Sequence, residues 1–256
     1  MLADVSYTHP SFGTLIPCAC KRAELQLQRE QRQAWRFAKL REELGDLADR
    51  TFENFDLRRT LRPFTYRDVT YPVGTQRRAL TEARAASLAF ASTLADATGP
   101  VGWLYCFGPV GGGKSHLAAA IANHAWAMGI GVSYASVPRF LRFIKSGFRQ
   151  IAETTGASEA DERIQALQQV PLLVLDDLGQ EQLSPWAKTT LFEIFDARYR
   201  RKAPTVITSN LHLEDLERLH EPVADRIRGM SLHSRVLLAV SSIRRSGEGE
   251  GGKQAS

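Results

Sequence analysis

The spacing of apolar and polar positions changes character twice along the chain. Residues 21–44, KRAELQLQREQRQAWRFAKLREEL, are rich in helix formers, hold neither Gly nor Pro, and stop at Gly45, a natural C-cap. That pattern predicts one long, highly charged helix. Residues 51–74, TFENFDLRRTLRPFTYRDVTYPVG, contain two prolines and read as an extended linker. A second helical stretch is predicted from Thr75 to about Ala97. Beyond it, short apolar runs alternate with helical segments: VGWLYCF, GVSYAS, PLLVLDD, PTVITSN and RVLLAV. These runs do not alternate in polarity, which suits strands buried on both faces, so the pattern predicts a parallel sheet covered by helices. SGEGEGGKQAS, at the end of the chain, has no apolar anchor and is expected to be disordered. The chain is read as an N-terminal extension (1–49), a linker (50–74), an α/β domain (75–244) and a tail (245–256).

Composition adds limits more than content. A chain of 256 residues, 43% hydrophobic and 24% charged, can bury one large core or one domain with an appendage. The balance of 33 basic to 28 acidic residues gives a net charge of +5 and a pI near 9.3. That leans towards a polyanionic partner without requiring one. No stretch approaches the roughly 18 to 20 apolar residues that span a bilayer, and MLADVSYTHP lacks the basic-then-apolar order of a secretory signal. A cytoplasmic protein without membrane contact is therefore expected. Three cysteines are too few for a disulfide framework, and Cys106 sits in an apolar run where a reduced thiol packs as a small hydrophobe.

The chemistry concentrates at strand ends. GPVGGGKS matches G-x-x-x-x-G-K-[ST] at Gly108, Gly113, Lys114 and Ser115, directly after a predicted strand and before a predicted helix. Glycines let the backbone wrap so that its N–H groups and the helix N-terminus face phosphate oxygens. Together with Pro109, Val110, Gly111, Gly112 and His116 they form the expected ATP-binding set. Lys114 is assigned to the β- and γ-phosphates and the Ser115 hydroxyl to Mg²⁺. In PLLVLDDLG, four apolar residues deliver Asp176 and Asp177 to the carboxyl end of a strand, where ligands gather in open α/β sheets. Asp176 is assigned to the Mg²⁺ shell, and Asp177 to orienting or deprotonating the attacking water. TVITSN carries Ser209 and Asn210 to the same edge, where a neutral amide can hydrogen-bond that water or a γ-phosphate oxygen.

With these residues in view, GPVGGGKSHLA, LLVLDDLG, PTVITSNL and VADRI together resemble the AAA+ ATPases of the DnaC/DnaI helicase-loader type, relatives of DnaA and IstB. The resemblance covers roughly residues 50–244. It implies a P-loop AAA+ core with a five-stranded parallel sheet, ATP with Mg²⁺, self-association, and contact with single-stranded DNA and a replicative DNA helicase. It equates Asn210 with the family's sensor residue and Arg226, in ADRIRG, with an arginine finger offered to a neighbouring subunit. Arg228 is close enough to compete for that role. After RVLLAV only sixteen residues remain, so no helical lid domain is expected, and a second protomer becomes the source of charge for the transferring phosphoryl group. SSIRR resembles a terminal family motif that would bring Arg244 towards the nucleotide. IstB-like ATPases that regulate a transposase share the core motifs, and that reading stays open. A small-molecule P-loop kinase would need a lid and an acceptor pocket, which the sequence does not display.

Two further segments bear on partners. In VPRFLRFIKSGFRQ, helical spacing puts Arg139, Arg142, Lys145 and Arg149 on one face and Phe140, Leu141, Ile144 and Phe148 on another. No acid interleaves the basic stripe, which marks it for DNA phosphates; the alternative is a merely solvated face. The resemblance places a DNA-contacting helix here. At the N-terminus, His9, Cys18 and Cys20 do not make a closed tetrahedral zinc set. They resemble the second half of a cysteine ribbon, which would put the natural N-terminus upstream of Met1. The charged helix would then bind the partner protein, unless it is simply solvated. TFENFD resembles the loader segment leading into the ATPase domain, expected near the adenine.

Overall fold

The computed structural model describes residues 24, 26–27, 38–95, 102–142, 159–179, 184–232 and 234–242. The chain divides into two compact units, 1–42 and 43–256. In the first, the described residues are helical, as their helix-forming composition predicts. His9, Cys18 and Cys20 lie outside the described residues, as do the C-terminal tail and Arg244.

The second unit is built on a five-stranded sheet with spatial order β4-β5-β6-β3-β7. Its strands are β3 (Trp103–Phe107), β4 (Val132–Ser136), β5 (Leu172–Leu178), β6 (Thr205–Ser209) and β7 (Arg235–Leu237), and every pairing is parallel. The expected five-stranded parallel sheet is thus present. Helices α2 (Lys114–Ala127), α3 (Glu159–Gln169), α4 (Pro185–Arg200) and α5 (Leu213–Met230) make the crossovers. Tyr105, Leu173, Leu175 and Ile207 pack with Leu167, Leu191, Phe195, Leu216 and Ile227 of α3, α4 and α5 in one buried cluster. The alternate strand positions, Cys106, Asp176 and Thr208 among them, belong to the other face, and α2 lies against β4, β5 and β6 there. Its Ala-rich sequence suits that place: Leu117, Ala118, Ala119, Ala120, Ile121 and Ala122 are all buried, so the helix approaches the sheet closely. Helix α1 (Val73–Thr93) packs on α2 and β7.

The sheet's other end is held by a buried cation. Arg198 of α4 donates to Thr205 Oγ1 and to the carbonyls of Leu167, Val170, Pro171 and Pro204. Burial pushes its guanidinium down to about 9, still protonated at neutral pH, with carbonyl dipoles in place of a carboxylate partner. It gathers the chain ends entering β5 and β6.

The segment read as an extended linker folds further than expected. Phe64–Tyr66 (β1) and Val69–Tyr71 (β2) form an antiparallel hairpin, with Phe64 stacked on Tyr71 at 5.5 Å and Thr65 hydrogen-bonded to Thr70 at 3.2 Å. Its two-residue turn, Arg67–Asp68, has φ of 51° and 60°, the left-handed pair that matches strand twist. Tyr66 stacks on His212 at 5.7 Å, and Arg67 pairs with Asp215, so the hairpin is pinned to the start of α5.

Candidate functional site

The phosphate loop connects β3 to α2 and is shaped by its neighbours as much as by its glycines. Gly108 has φ of 137°, and a Cβ there would lie 2.6 Å from Leu238 O. Gly113, at φ of 107°, would put a Cβ 2.9 Å from the Phe55 ring. Only glycine meets both constraints at these positions. Lys114 is buried, and its Nζ donates to Gly108 O at 2.9 Å and Pro109 O at 2.8 Å, so the ammonium lies folded into its own loop. Ser115, the second residue of α2, is half-buried, whereas Val110 at the loop tip is exposed.

The acid pair sits at a register shift. Leu175 pairs with Ile207, but the next pairing is Leu178 with Ser209, so Asp176 and Asp177 together stand opposite the single residue Thr208. Leu173 and Leu175 face the apolar cluster, and strict alternation would send Asp177 there next. The extra residue hands that place to Leu178 instead, sparing a carboxylate the cost of apolar burial. Asp177 takes φ of 62°, a left-handed conformation that aspartate tolerates better than most residues. Asp176 is only 5% exposed, and its Oδ1 accepts from Thr208 Oγ1 at 2.5 Å. The same Oγ1 accepts from Asp177 N–H at 2.9 Å. On the flanking strands, burial and then the Asp176 charge hold the Tyr134 phenol well above its ordinary range. Burial likewise pushes the Cys106 thiol up to about 12, so it stays protonated, against the nearby pull of Lys114.

Asn210 follows β6 and is half-buried beside the phosphate loop's strand, because Ser209 pairs with Phe107. Ser209 Oγ donates to Leu178 O at 2.6 Å and accepts from Leu211 N at 3.0 Å, which fixes the turn carrying Asn210. The sheet therefore brings the phosphate loop, Asp176, Asp177 and Asn210 to one edge. Lys114, Ser115 and Asp176 fit a magnesium–triphosphate ligand chemically: a buried cation already held among backbone carbonyls, a hydroxyl at a helix start, and a buried carboxylate oxygen, a hard donor.

Residues 48–63 contribute more than the sequence announced. Arg59 is 7% exposed, and its Nη2 donates to Gly112 O at 2.9 Å. Burial is the main cause holding its guanidinium down at about 10. Phe55 meets the His116 ring edge-on at 5.1 Å, and His116 Nε2 donates to Thr51 O at 2.9 Å. Burial lowers the His116 pKa below its ordinary value, keeping the ring neutral near pH 7. Arg84 of α1 donates to Phe52 O at 2.8 Å and Arg77 to Arg59 O at 3.2 Å, binding this strap down from outside. TFENFD thus packs on the phosphate loop and on α2. The sequence carried the aromatic signal, but a separation of 53 positions between Arg59 and Gly112 hid their contact.

Arg226 lies in α5 beyond a break in helical geometry at His220, two residues before Pro222. Its guanidinium pairs with Asp196 of α4 at 3.2 Å and with Asp225 at 2.9 Å, and covers the Tyr199 ring at 4.9 Å. Arg228 pairs with Glu217. Neither arginine was expected to hold an acid of its own chain. Of the basic helix, 137–142 are helical, with Phe140 and Leu141 buried and Arg139 and Arg142 exposed, which follows the expected division of faces. Lys145 and Arg149 fall outside the described residues. Among the described residues, no helix is long and apolar enough to cross a membrane.

A parallel sheet of this order, with a phosphate loop after β3 and an acid pair near the end of β5, is the P-loop fold of the AAA+ type. The chain belongs to the IstB-like ATP-binding protein family, whose sequence model matches residues 21–237. It is 35% identical over 122 residues to the replicative helicase loader DnaC of Escherichia coli K12, covering 47% of this chain and 48% of that protein. It is 34% identical over 143 residues to y4pL of Sinorhizobium fredii, described as an insertion-sequence ATP-binding protein, covering 54% and 55% respectively. The chain thus spans about half the length of the curated relatives it matches. The crystal structure of DnaI shares the fold with a TM-score of 0.54 at 21% identity, over 76% of this chain and 90% of that one. The resemblance drawn from the motifs is borne out.

Proposed function

We propose that the protein is an ATP-hydrolysing switch that binds single-stranded DNA and loads a replicative DNA helicase. The observation that carries this reading is the convergence of the phosphate loop, the bulged acid pair and Asn210 on one sheet edge, in a chain related to a helicase loader. The loop from Gly108 to His116 binds the phosphates of ATP through its N–H groups. Lys114 exchanges its bonds to Gly108 O and Pro109 O for phosphate oxygens, so an ammonium already buried meets an anion without new desolvation. Ser115 and Asp176 hold Mg²⁺, which when bound neutralises charge on the β- and γ-phosphates. Asp177 orients the attacking water and accepts its proton, and Asn210 hydrogen-bonds that water or a γ-phosphate oxygen. Arg226 completes the site of a neighbouring protomer. Arg139, Arg142, Lys145 and Arg149 contact DNA phosphates.

A second reading, an ATPase that regulates a DNA transposase, is supported by the similarity to y4pL over 54% of this chain. Co-purification separates the two. The protein is mixed with a replicative helicase or with an insertion-sequence transposase, each with and without ATP. ATP-dependent retention of the helicase is expected; retention of the transposase alone overturns the loader reading.

A further inference from the structure

Thr208 stands where neither the phosphate-loop nor the acid-pair pattern points, yet both acids converge on it. It is fully buried in β6, paired with Cys106 on one side and facing the β5 bulge on the other. A hydroxyl has one proton and two lone pairs, and here the proton and one lone pair are committed to different aspartates. The proton goes to Asp176 Oδ1 at 2.5 Å, and the lone pair receives Asp177 N–H at 2.9 Å. The first bond fixes the rotation of the Asp176 carboxylate. The second fixes the left-handed backbone of Asp177, φ 62°, from which its carboxylate departs. The register shift places both within its reach, because two residues of β5 stand opposite the single residue Thr208.

We propose that Thr208 is the positioning residue that sets both aspartates, orienting Asp176 for Mg²⁺ and Asp177 for the attacking water. This rests on the ATP-site reading above. Thr208 itself touches neither the metal nor the substrate; it acts through the two acids. Its role belongs to the hydroxyl, not to the methyl group or to side-chain volume.

The test measures equilibrium ATP affinity in EDTA and across a Mg²⁺ titration, alongside turnover and thermal melting. Thr208→Val should keep the EDTA affinity, which depends on the phosphate loop. The Mg²⁺ concentration giving half-maximal tightening of ATP should rise about 10- to 100-fold, as for other residues that orient metal ligands. Thr208→Ser should restore wild-type behaviour. Should the valine protein fail to fold, Thr208→Ser and Thr208→Cys, close in shape, differ in hydrogen-bond strength, and serine should bind Mg²⁺ the more tightly. Wild-type Mg²⁺ dependence in Thr208→Val, or equal behaviour of serine and cysteine, overturns the proposal. Asp176→Asn provides the reference. If it leaves the Mg²⁺ requirement unchanged, the site reading falls and the proposal with it; if it raises the requirement and Thr208→Val does not, only the role of Thr208 falls.

Discussion

At the level of single residues, the two adjacent aspartates occupy unlike environments, and this separates their proposed roles. Asp176 is buried and receives a strong bond from Thr208, whereas Asp177 is half-buried on a left-handed backbone. Asparagine shares aspartate's tolerance of that backbone, so Asp177→Asn leaves the bulge, the Thr208 bonds and the Asp176 carboxylate in place. The expected result is near-normal ATP binding with hydrolysis reduced by about 10²- to 10⁴-fold, the usual contribution of a general base. A titration with fluorescent ATP and a steady-state phosphate assay check the two halves. Hydrolysis at the wild-type rate would place the catalytic carboxylate elsewhere. Asp177 differs in this from Lys114, whose loss removes the charge facing the phosphates and should abolish binding itself.

Elements show what local sequence could and could not reveal. The parallel strands were legible because runs such as LLVL are apolar on both faces, and the phosphate loop because its glycines and lysine lie within eight residues. The β1–β2 hairpin was not. Its turn is Arg67–Asp68, without the Asn-Gly or Asp-Gly that signals such a turn, and Tyr66 is anchored by His212, far along the chain. The bulge in β5 was equally hidden, since DD reads as an acid pair whatever its register, and only pairing with Thr208 reveals the extra residue. Arg59 carries no local signal, and only the fold buries it against Gly112. The basic helix is an intermediate case. Its 3.6-residue period assigned Phe140 and Leu141 to the core and Arg139 and Arg142 to the surface, as observed. If that surface carries DNA, neutralising Arg142 and Lys145 together should weaken single-stranded DNA binding and flatten its salt dependence. The slope of log affinity against log salt should drop by about 1.4, or 0.7 for each phosphate of a single strand that is no longer neutralised. An unchanged slope would return the helix to an ordinary solvated face.

For the whole molecule, the outstanding matter is the charge that a transferring phosphoryl group gathers, and whether one chain neutralises it alone. Arg226 is the proposed supplement from a neighbouring protomer, yet in the isolated chain it is paired with Asp196 and lies over Tyr199. Release is inexpensive on two counts. Asp196 retains Arg200 as a second partner, and the Arg226 side chain is already 27% exposed, so part of its Coulomb attraction is screened. Arg226→Ala should therefore leave folding and ATP binding close to wild type while abolishing the stimulation of hydrolysis in the adjoining subunit. Arginine fingers contribute on the order of 10³ to 10⁵ in rate, so the loss should be large. Complementation tests this directly. Arg226→Ala keeps an intact nucleotide pocket, Lys114→Ala keeps an intact arginine, and each alone has a broken composite site. Mixed together, some interfaces join the sound pocket of one to the sound arginine of the other, and activity should partly return. Substituting Arg228→Ala for Arg226→Ala in the same mixture distinguishes the two arginines, since Arg228 also pairs with an acid, Glu217, at a partly exposed site that is easily given up. If the Arg226 and Lys114 variants both assemble and neither rescues the other, the finger is Arg228 or hydrolysis is completed within one chain, and the role proposed for Arg226 is wrong.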